Sequence, residues 1–423
     1  MKSFVLALFA FLVPTVSSAQ DLPVLVTTEM PQLLTIYKEL HQHPELSHQE
    51  KQTSALVADA LRKAGFTVTE NVGKYDDGTQ AYGVVAVMKN GAGPTVLVRT
   101  DMDALPVEEK TGLPYASTVR SKNEVGDDVG VMHACGHDVH TAGLLGVADV
   151  LAQRRDDLAG EFTVVFQPAE EGLGGARAMI EGGLLDRHPV DALIGAHVTS
   201  LAPVGLVATR PGILMSEALA IAVDVRGKGG HGAMASVEGN VILAISALAP
   251  RLGEIVAGIE YEGTNCACSA GVLHAGTANN VVPRHGHLRG TLRTFTPEQQ
   301  REAMARLDAL LDDIQRTFTV NCSLELIEGT PAVVNDSAIT TSVVASAATV
   351  VGAPNVLTIA PTSPSDDISE FLNRIPGCYM FIGGGLADGS SGMHHSPDFA
   401  VDDGACRVVA GVLAASAVDL AHV

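Results

Sequence analysis

Short apolar runs alternate with helix-period segments along most of the chain. Between Thr28 and Ala64, Leu33, Leu34, Tyr37 and Leu40, then Leu56, Val57, Ala60 and Leu61, recur at helical spacing. This predicts two helices, joined through His41, Gln42, His43, Pro44, Glu45, Leu46 and Ser47. Residues 84–87, 95–98, 162–166 and 192–195 are apolar runs without polar alternation, the pattern of strands buried on both faces. Helical patterns over 138–153 and 174–182 lie among them. The order predicts an α/β domain built on a mostly parallel sheet.

Between residues 216 and 327 the texture changes. A half-buried strand at 219–225 precedes a helix at 240–255, strand-like runs at 265–273 and 287–294, an amphipathic helix at 297–317 and a strand at 320–327. That β-α-β-β-α-β order is the split βαβ arrangement of a small ferredoxin-like unit. The expected organisation is two domains, with residues 20–215 and 329–423 forming the first and 216–328 inserted into it.

Polar residues sit where the strands of the first domain end. Arg99 leads into Asp101 and Asp103, Gln167 into Glu170 and Glu171, and Gly195 into His197. Residues 378–382 lead through Gly383, Gly384 and Gly385 toward His394 and His395. Open α/β sheets place their sites at this edge. Any one of these residues reads as readily as a surface acid or a satisfied core histidine. Four such edges gain weight from a fifth stretch, Met132, His133, Ala134, Cys135, Gly136, His137, Asp138, Val139 and His140. There Cys135 and His137 flank a glycine that permits a sharp bend, just ahead of an apolar helix whose N-terminal N–H groups favour a thiolate.

Cys135, His137, Glu171, His197 and His395 supply enough sulfur, nitrogen and oxygen donors for two divalent ions if one ligand bridges them. Glu170 and Glu171 leave a strand in different directions, so Glu171 can coordinate while Glu170 stays free as general base for water. Asp101 and Asp103 are placed to orient the ligating imidazoles. The chemistry this points to is metal-assisted hydrolysis.

Composition narrows the setting. The chain has 423 residues, 46% hydrophobic and 18% charged, which suits a globular protein of two or three domains. Lys2, an apolar run at 4–13 and the small residues Ser17, Ser18 and Ala19 read as a cleavable secretory signal over residues 1–19. No run is long enough to span a bilayer, so the expected product is secreted or periplasmic. A net charge of −21 argues against nucleic acid and anionic membrane surfaces as partners. Six cysteines are sparse for an exported chain, and with Cys135 as a ligand the other five, Cys266, Cys268, Cys322, Cys378 and Cys406, make at most a bridge or two.

Several stretches resemble the M20 family of metallopeptidases, specifically its amidohydrolase branch of hippurate hydrolases, N-acyl-amino-acid amidohydrolases and auxin-conjugate hydrolases. They are residues 41–47, 99–106, 132–140, 166–172, 227–233, 276–283 and 395–397, in order over nearly the whole mature chain. The resemblance implies a catalytic domain holding two divalent ions per subunit, of zinc, manganese, nickel or cobalt. It implies that the inserted unit is a lid through which the chain assembles as a homodimer or tetramer. By motif, Cys135, His137, Glu171, His197 and His395 are the ligands, with Cys135 bridging, and Glu170 and Asp103 belong to the catalytic group. His231 would support the oxyanion from the lid, in related enzymes often from the partner subunit, and Asn280 and Arg293 would grip substrate polar groups.

The implied activity is hydrolysis of an N-acyl amino acid, a small-molecule substrate, to a carboxylic acid and a free amino acid. A metallo-carboxypeptidase or dipeptidase of the same family and a non-catalytic binding protein on the same fold are the alternatives. A thiol hydrolase using Cys135 would leave Glu170, Glu171 and His197 without a role. Residues 227–232 also fit G-x-G-x-x-G, but no helix opens there, which argues against dinucleotide binding. The chain departs from the family after His231, at Ala235, Ser236, Asn240 and Val241. It also departs at Asp366, Asp367 and Ile368, where the family has Glu-Asp-Phe, and both changes bear on specificity.

Overall fold

The structure, a computed structural model, describes residues 22–172 and 174–422, so the expected signal at 1–19 lies outside the described residues. An eight-stranded sheet organises most of them, in the order Thr67–Lys74, Gln80–Lys89, Glu161–Gln167, Thr95–Asp101, Ala192–Pro203, Gly377–Gly385, Val207–Thr209, Val356–Thr358. The four central strands, from Glu161–Gln167 to Gly377–Gly385, are parallel. Thr67–Lys74 and Gln80–Lys89 join antiparallel on one side, and Val207–Thr209 pairs antiparallel with Gly377–Gly385 on the other. The sequence pattern reads the central strands and passes over Thr67–Lys74, whose first five residues are all at least partly exposed and carry no apolar run.

Alternate residues of the central strands enter two cores. Val96, Val98, Val164 and Ile194 pack with Leu33, Leu144, Val147, Val408 and Val412 from helices Leu22–Gln42, His137–Gln153 and Gly404–Leu420. Leu97, Val165, Leu193 and Tyr379 face the other way, onto Ala176, Met179 and Phe371. Helix His137–Gln153 is buried along almost its whole length. Its Gly143 lies so close to the Gly404–Leu420 helix that a Cβ would meet Val409 Cγ1 at 2.5 Å.

Residues 217–330 build a second core under an antiparallel sheet ordered Ala267–Ala275, His285–Thr294, Glu217–Arg226, Asn321–Thr330. Helices Val241–Leu248 and Pro297–Phe318 cover one face through Ile221, Val223, Val225, Leu288 and Leu292. The helix expected over 240–255 ends at Leu248 and tightens into a 3-10 segment, Ala249–Val256, because Pro250 cannot donate to the ladder. Asn240 caps this helix by accepting from the Ile242 and Leu243 amides at 3.1 and 3.2 Å, so the family departure there brings its own start signal.

Two buried charge networks tie distant segments to the sheet. Arg99 is fully buried, donating to Gln167 Oε1 at 2.8 Å and pairing with Asp101 at 3.0 Å, Asp367 at 3.0 Å and Asp366 at 3.3 Å. Replacing it by methionine strands three carboxylates in the interior. Arg99→Met is expected to cost about 3–5 kcal/mol in denaturant unfolding, whereas a loss below about 1 kcal/mol would contradict the network's role.

His41, at the end of the first helix, pairs with Asp138 at 2.6 Å and Glu109 at 3.2 Å, fixing the first turn of helix His137–Gln153. Burial alone would lower the pKa of His41, but the hydrogen bonds from Asp138 and Glu109 outweigh it and lift the group to about 10. A folded pKa above the unfolded value of about 6.5 stabilises the protein fully below that value, and the contribution fades as pH rises through about 10. The gap in unfolding free energy between the chain and His41→Gln should therefore be largest near neutral and acid pH and narrow by about pH 10. A gap that stays constant over that window would refute the assignment.

Candidate metal centre

The loop ahead of helix His137–Gln153 is shaped by Gly136, at φ +84°, where a Cβ would lie 2.3 Å from Val198 Cγ1. It presents Cys135 Sγ at 3.5 Å from both His197 Nε2 and His394 Nδ1. Donor atoms of Cys135, His137 and His197 all lie within 4.8 Å of one another, as do those of Cys135, Glu171 and His395, and those of His137, Glu170 and Glu171. The first two triads share the Cys135 sulfur.

His197 was expected just past a strand end, yet it lies inside Ala192–Pro203. That strand outruns its neighbour Thr95–Asp101, whose pairing with it stops at Gly195, so the imidazole still emerges at the sheet's edge. Two residues at the site adopt the left-handed region that non-glycine residues avoid, His395 at φ +65° and Ala169, just before Glu170, at φ +50°. Both are held by hydrogen bonds, His395 N–H to Ala134 O at 2.8 Å and Ala169 N–H to Glu50 Oε1 at 2.8 Å.

Outer hydrogen bonds decide which nitrogens are left to ligate. Asp103 accepts from His137 Nδ1 at 3.3 Å, from Ser47 Oγ at 2.6 Å and from the Glu171 amide at 3.0 Å, so one carboxylate aims both an imidazole and a neighbouring acid. His197 Nδ1 lies 2.7 Å from Val198 O. His137 and His197 are thus turned so that Nε2 faces the cluster. His140 approaches the same group but is spent, because Nδ1 bonds Asp101 at 2.7 Å and Nε2 accepts from Val198 N–H at 2.7 Å. The close grouping of Glu170, Asp366 and Asp367 likewise has its cation already, the Arg99 guanidinium.

The remaining donors fit metal ions. His137 Nε2 and Glu171 Oε1 are buried without a hydrogen-bond partner, 3.8 Å apart, and His395 Nε2 lies 3.2 Å from the same oxygen. Burial disfavours charge on His137, yet Asp101, Asp103 and Glu171 push its pKa up to about 10, so the cluster attracts a cation strongly. The Cys135 thiol departs from expectation. Burial, then Glu171 and Glu170, drive its pKa well above the ordinary range and override the helix N-terminus. A cation beside the sulfur is what would make it a thiolate ligand. Burial, then Asp366, Glu171 and Asp367, also hold the Glu170 carboxyl well above the usual carboxylate range.

The other residues singled out from sequence lie apart. His231 is exposed, and its Nδ1 accepts from its own Ala233 amide at 3.1 Å. Asn280 is exposed in the turn before Val281–Val282, and neither residue hydrogen-bonds to the cluster. Arg293 is half-buried and donates to Ser363 O at 3.1 Å and Ser365 Oγ at 3.3 Å, which docks the second sheet against the segment leading to Asp366. Asp366 and Asp367 belong to the core rather than the cleft surface. All six cysteines are unpaired thiols. Sequence reasoning missed the contact of His394 with the Cys135 sulfur, for which adjacency to His395 was the available signal, and missed Ser47 and Glu50 as supports.

The sequence profile of peptidase family M20/M25/M40 matches residues 97–419. An N-acetyl-L-cysteine deacetylase of Bacillus subtilis is 36% identical over 382 residues, 90% of this chain and 86% of that protein. Thermostable carboxypeptidase 1 of Saccharolobus solfataricus is 35% identical over 88% of this chain and 91% of its own length. Among solved structures, a Bacillus subtilis protein described as a dinuclear metal binding peptidase from the M20 family superposes with TM-score 0.75 at 28% identity, covering 94% of this chain and 99% of that one. The chain belongs to peptidase family M20/M25/M40 and is a metal-dependent hydrolase of amide bonds.

Proposed function

We propose that the chain hydrolyses N-acyl amino acids, releasing a carboxylic acid and a free amino acid, with two divalent ions held by Cys135, His137, Glu171, His197 and His395. The observation that carries this reading is the pair of donor triads meeting at the Cys135 sulfur, with Glu170 beside them and outside the triads that share it. Ions bound there would lower the pKa of water and polarise the substrate carbonyl. Asp103 keeps His137 and Glu171 aimed, through its bonds to His137 Nδ1 and the Glu171 amide.

Glu170 is the proton carrier. Its raised proton affinity, set by burial and by Asp366, Glu171 and Asp367, suits a carboxylate that takes a proton from the attacking water. Water's oxygen then bonds the acyl carbon, the C–N bond breaks, and Glu170 returns the proton to the leaving nitrogen. The deacetylase relative supports an N-acyl amino acid, and the carboxypeptidase relative supports the second reading, a peptide with a free C-terminal carboxylate.

The test is amino-acid release from N-acetyl and N-benzoyl amino acids and from dipeptides. Release by the metal-loaded chain should vanish on chelation and fall at least ~100-fold in Glu170→Ala, as for loss of a general base. Release that survives chelation would move the chemistry to the Cys135 thiol, and faster cleavage of dipeptides than of any N-acyl amino acid would favour the peptidase reading.

A further inference from the structure

The loop ahead of helix Lys51–Lys63 grips the Glu170–Glu171 stretch from behind. Glu45 accepts from the Gln52 and Thr53 amides, both at 2.8 Å, which ties the loop to the first turn of that helix. Its backbone carbonyl accepts from Ala104 N–H at 2.8 Å, which docks the loop beside Asp103. From this footing two side chains reach the site. Ser47 Oγ donates to Asp103 Oδ2 at 2.6 Å, and the same oxygen accepts from the Glu171 amide at 3.0 Å. Glu50, fully buried, accepts through Oε1 from the Ala169 amide at 2.8 Å and from the His48 amide at 3.0 Å. Along the chain, Glu170 therefore lies between two amides that are each held by an acid.

We propose that Glu50 is a positioning residue for the proton carrier: its hold on the Ala169 amide sets the direction in which Glu170 leaves the strand, while Ser47, through Asp103, serves the metal ligands. The inference rests on the role given to Glu170 above. Ala169 stands at φ +50°, a conformation that a non-glycine residue keeps only where its surroundings impose it. The imposing contacts are the Glu50 bond to its N–H and the Gly175 amide, which donates to Ala169 O at 3.3 Å. Glu50 belongs to none of the donor groups that could hold an ion among the described residues, so metal binding does not account for its burial. Its second oxygen, Oε2, is buried without a hydrogen-bond partner. Burial, then Asp103, raises its pKa to about 8, so a neutral carboxyl holds the two amides at neutral pH. The side chain of glutamine offers the same acceptor oxygen and no charge.

The test measures kcat, KM and bound zinc for the full protein and for Glu50→Ala, Glu50→Gln, Ser47→Ala and Glu170→Ala. A displacement of about 1 Å at a reacting group costs roughly 100-fold in rate, so Glu50→Ala should lose about that much in kcat, with KM and the zinc count unchanged. Glu50→Gln should restore a kcat close to the parent's. Ser47→Ala should do the reverse of Glu50→Ala, binding zinc about 10–100-fold more weakly while keeping the parent's kcat at saturating zinc. Should Glu50→Ala fail to fold, Glu50→Asp, a methylene too short to reach Ala169, takes its place with the same expected loss. The parent's kcat in the shortened variant, a Glu50→Gln enzyme as slow as that variant, or loss of zinc in step with loss of rate would overturn the proposal. Zinc held by Ser47→Ala as tightly as by the parent would overturn the division between the two side chains. Failure of the reading it rests on shows separately, as Glu170→Ala keeping the parent's rate, and would overturn both.

Discussion

One buried guanidinium makes the rest of the centre affordable. The C-terminal edge of the parallel strands gathers Asp101, Asp103, Glu170, Glu171, Asp366 and Asp367 into a small volume, most of it closed to water. Like charges so placed would repel and desolvate one another at a cost the fold could not meet. Arg99, wholly buried on a central strand, pairs with three of them and bonds Gln167 as well. The other three acids, Asp103, Glu170 and Glu171, face His137 and the Cys135 sulfur.

That division of labour explains the two directions of shift at the site. Asp101 is kept well below the usual carboxylate range despite burial, because His137, His140 and Arg99 all stand against it. Glu170 sits near Asp366, Glu171 and Asp367, and burial and those acids keep its carboxyl avid for a proton. Two groups of one chemical kind are thus pushed in opposite directions, Asp101 toward a fixed anion that orients an imidazole and Glu170 toward holding a proton. The strained backbone at Ala169 belongs to the same arrangement, since Glu50 holds the amide just ahead of Glu170.

Much of this was legible in the chain. The central strands show as apolar runs because they are buried on both faces, and the ligand candidates stand out because soft and acidic donors follow those runs at short, regular distances. The split βαβ unit was legible from its element order alone, and the observed strand order agrees with it. What could not be read were pairings set by folding over long separations. Arg99 meets Asp367 across 268 positions, so the sequence could not show that Asp366 and Asp367, close to Glu170, are each paired with a buried guanidinium. Edge strand Thr67–Lys74 was missed because half its residues face water, and Cys135 was expected to ionise readily because burial and neighbouring acids are tertiary facts. His231 and Asn280 are exposed on the second domain, a placement that no local pattern encodes.

The most direct measurement of the central claim is anomalous diffraction from crystals of the chain grown with a divalent metal, recorded at that metal's absorption edge. Two peaks roughly 3.5–4 Å apart are expected, both in contact with the Cys135 sulfur, one reached by His137 and His197 and the other by Glu171 and His395. A single peak, or a pair that leaves Cys135 uncoordinated, would contradict that claim.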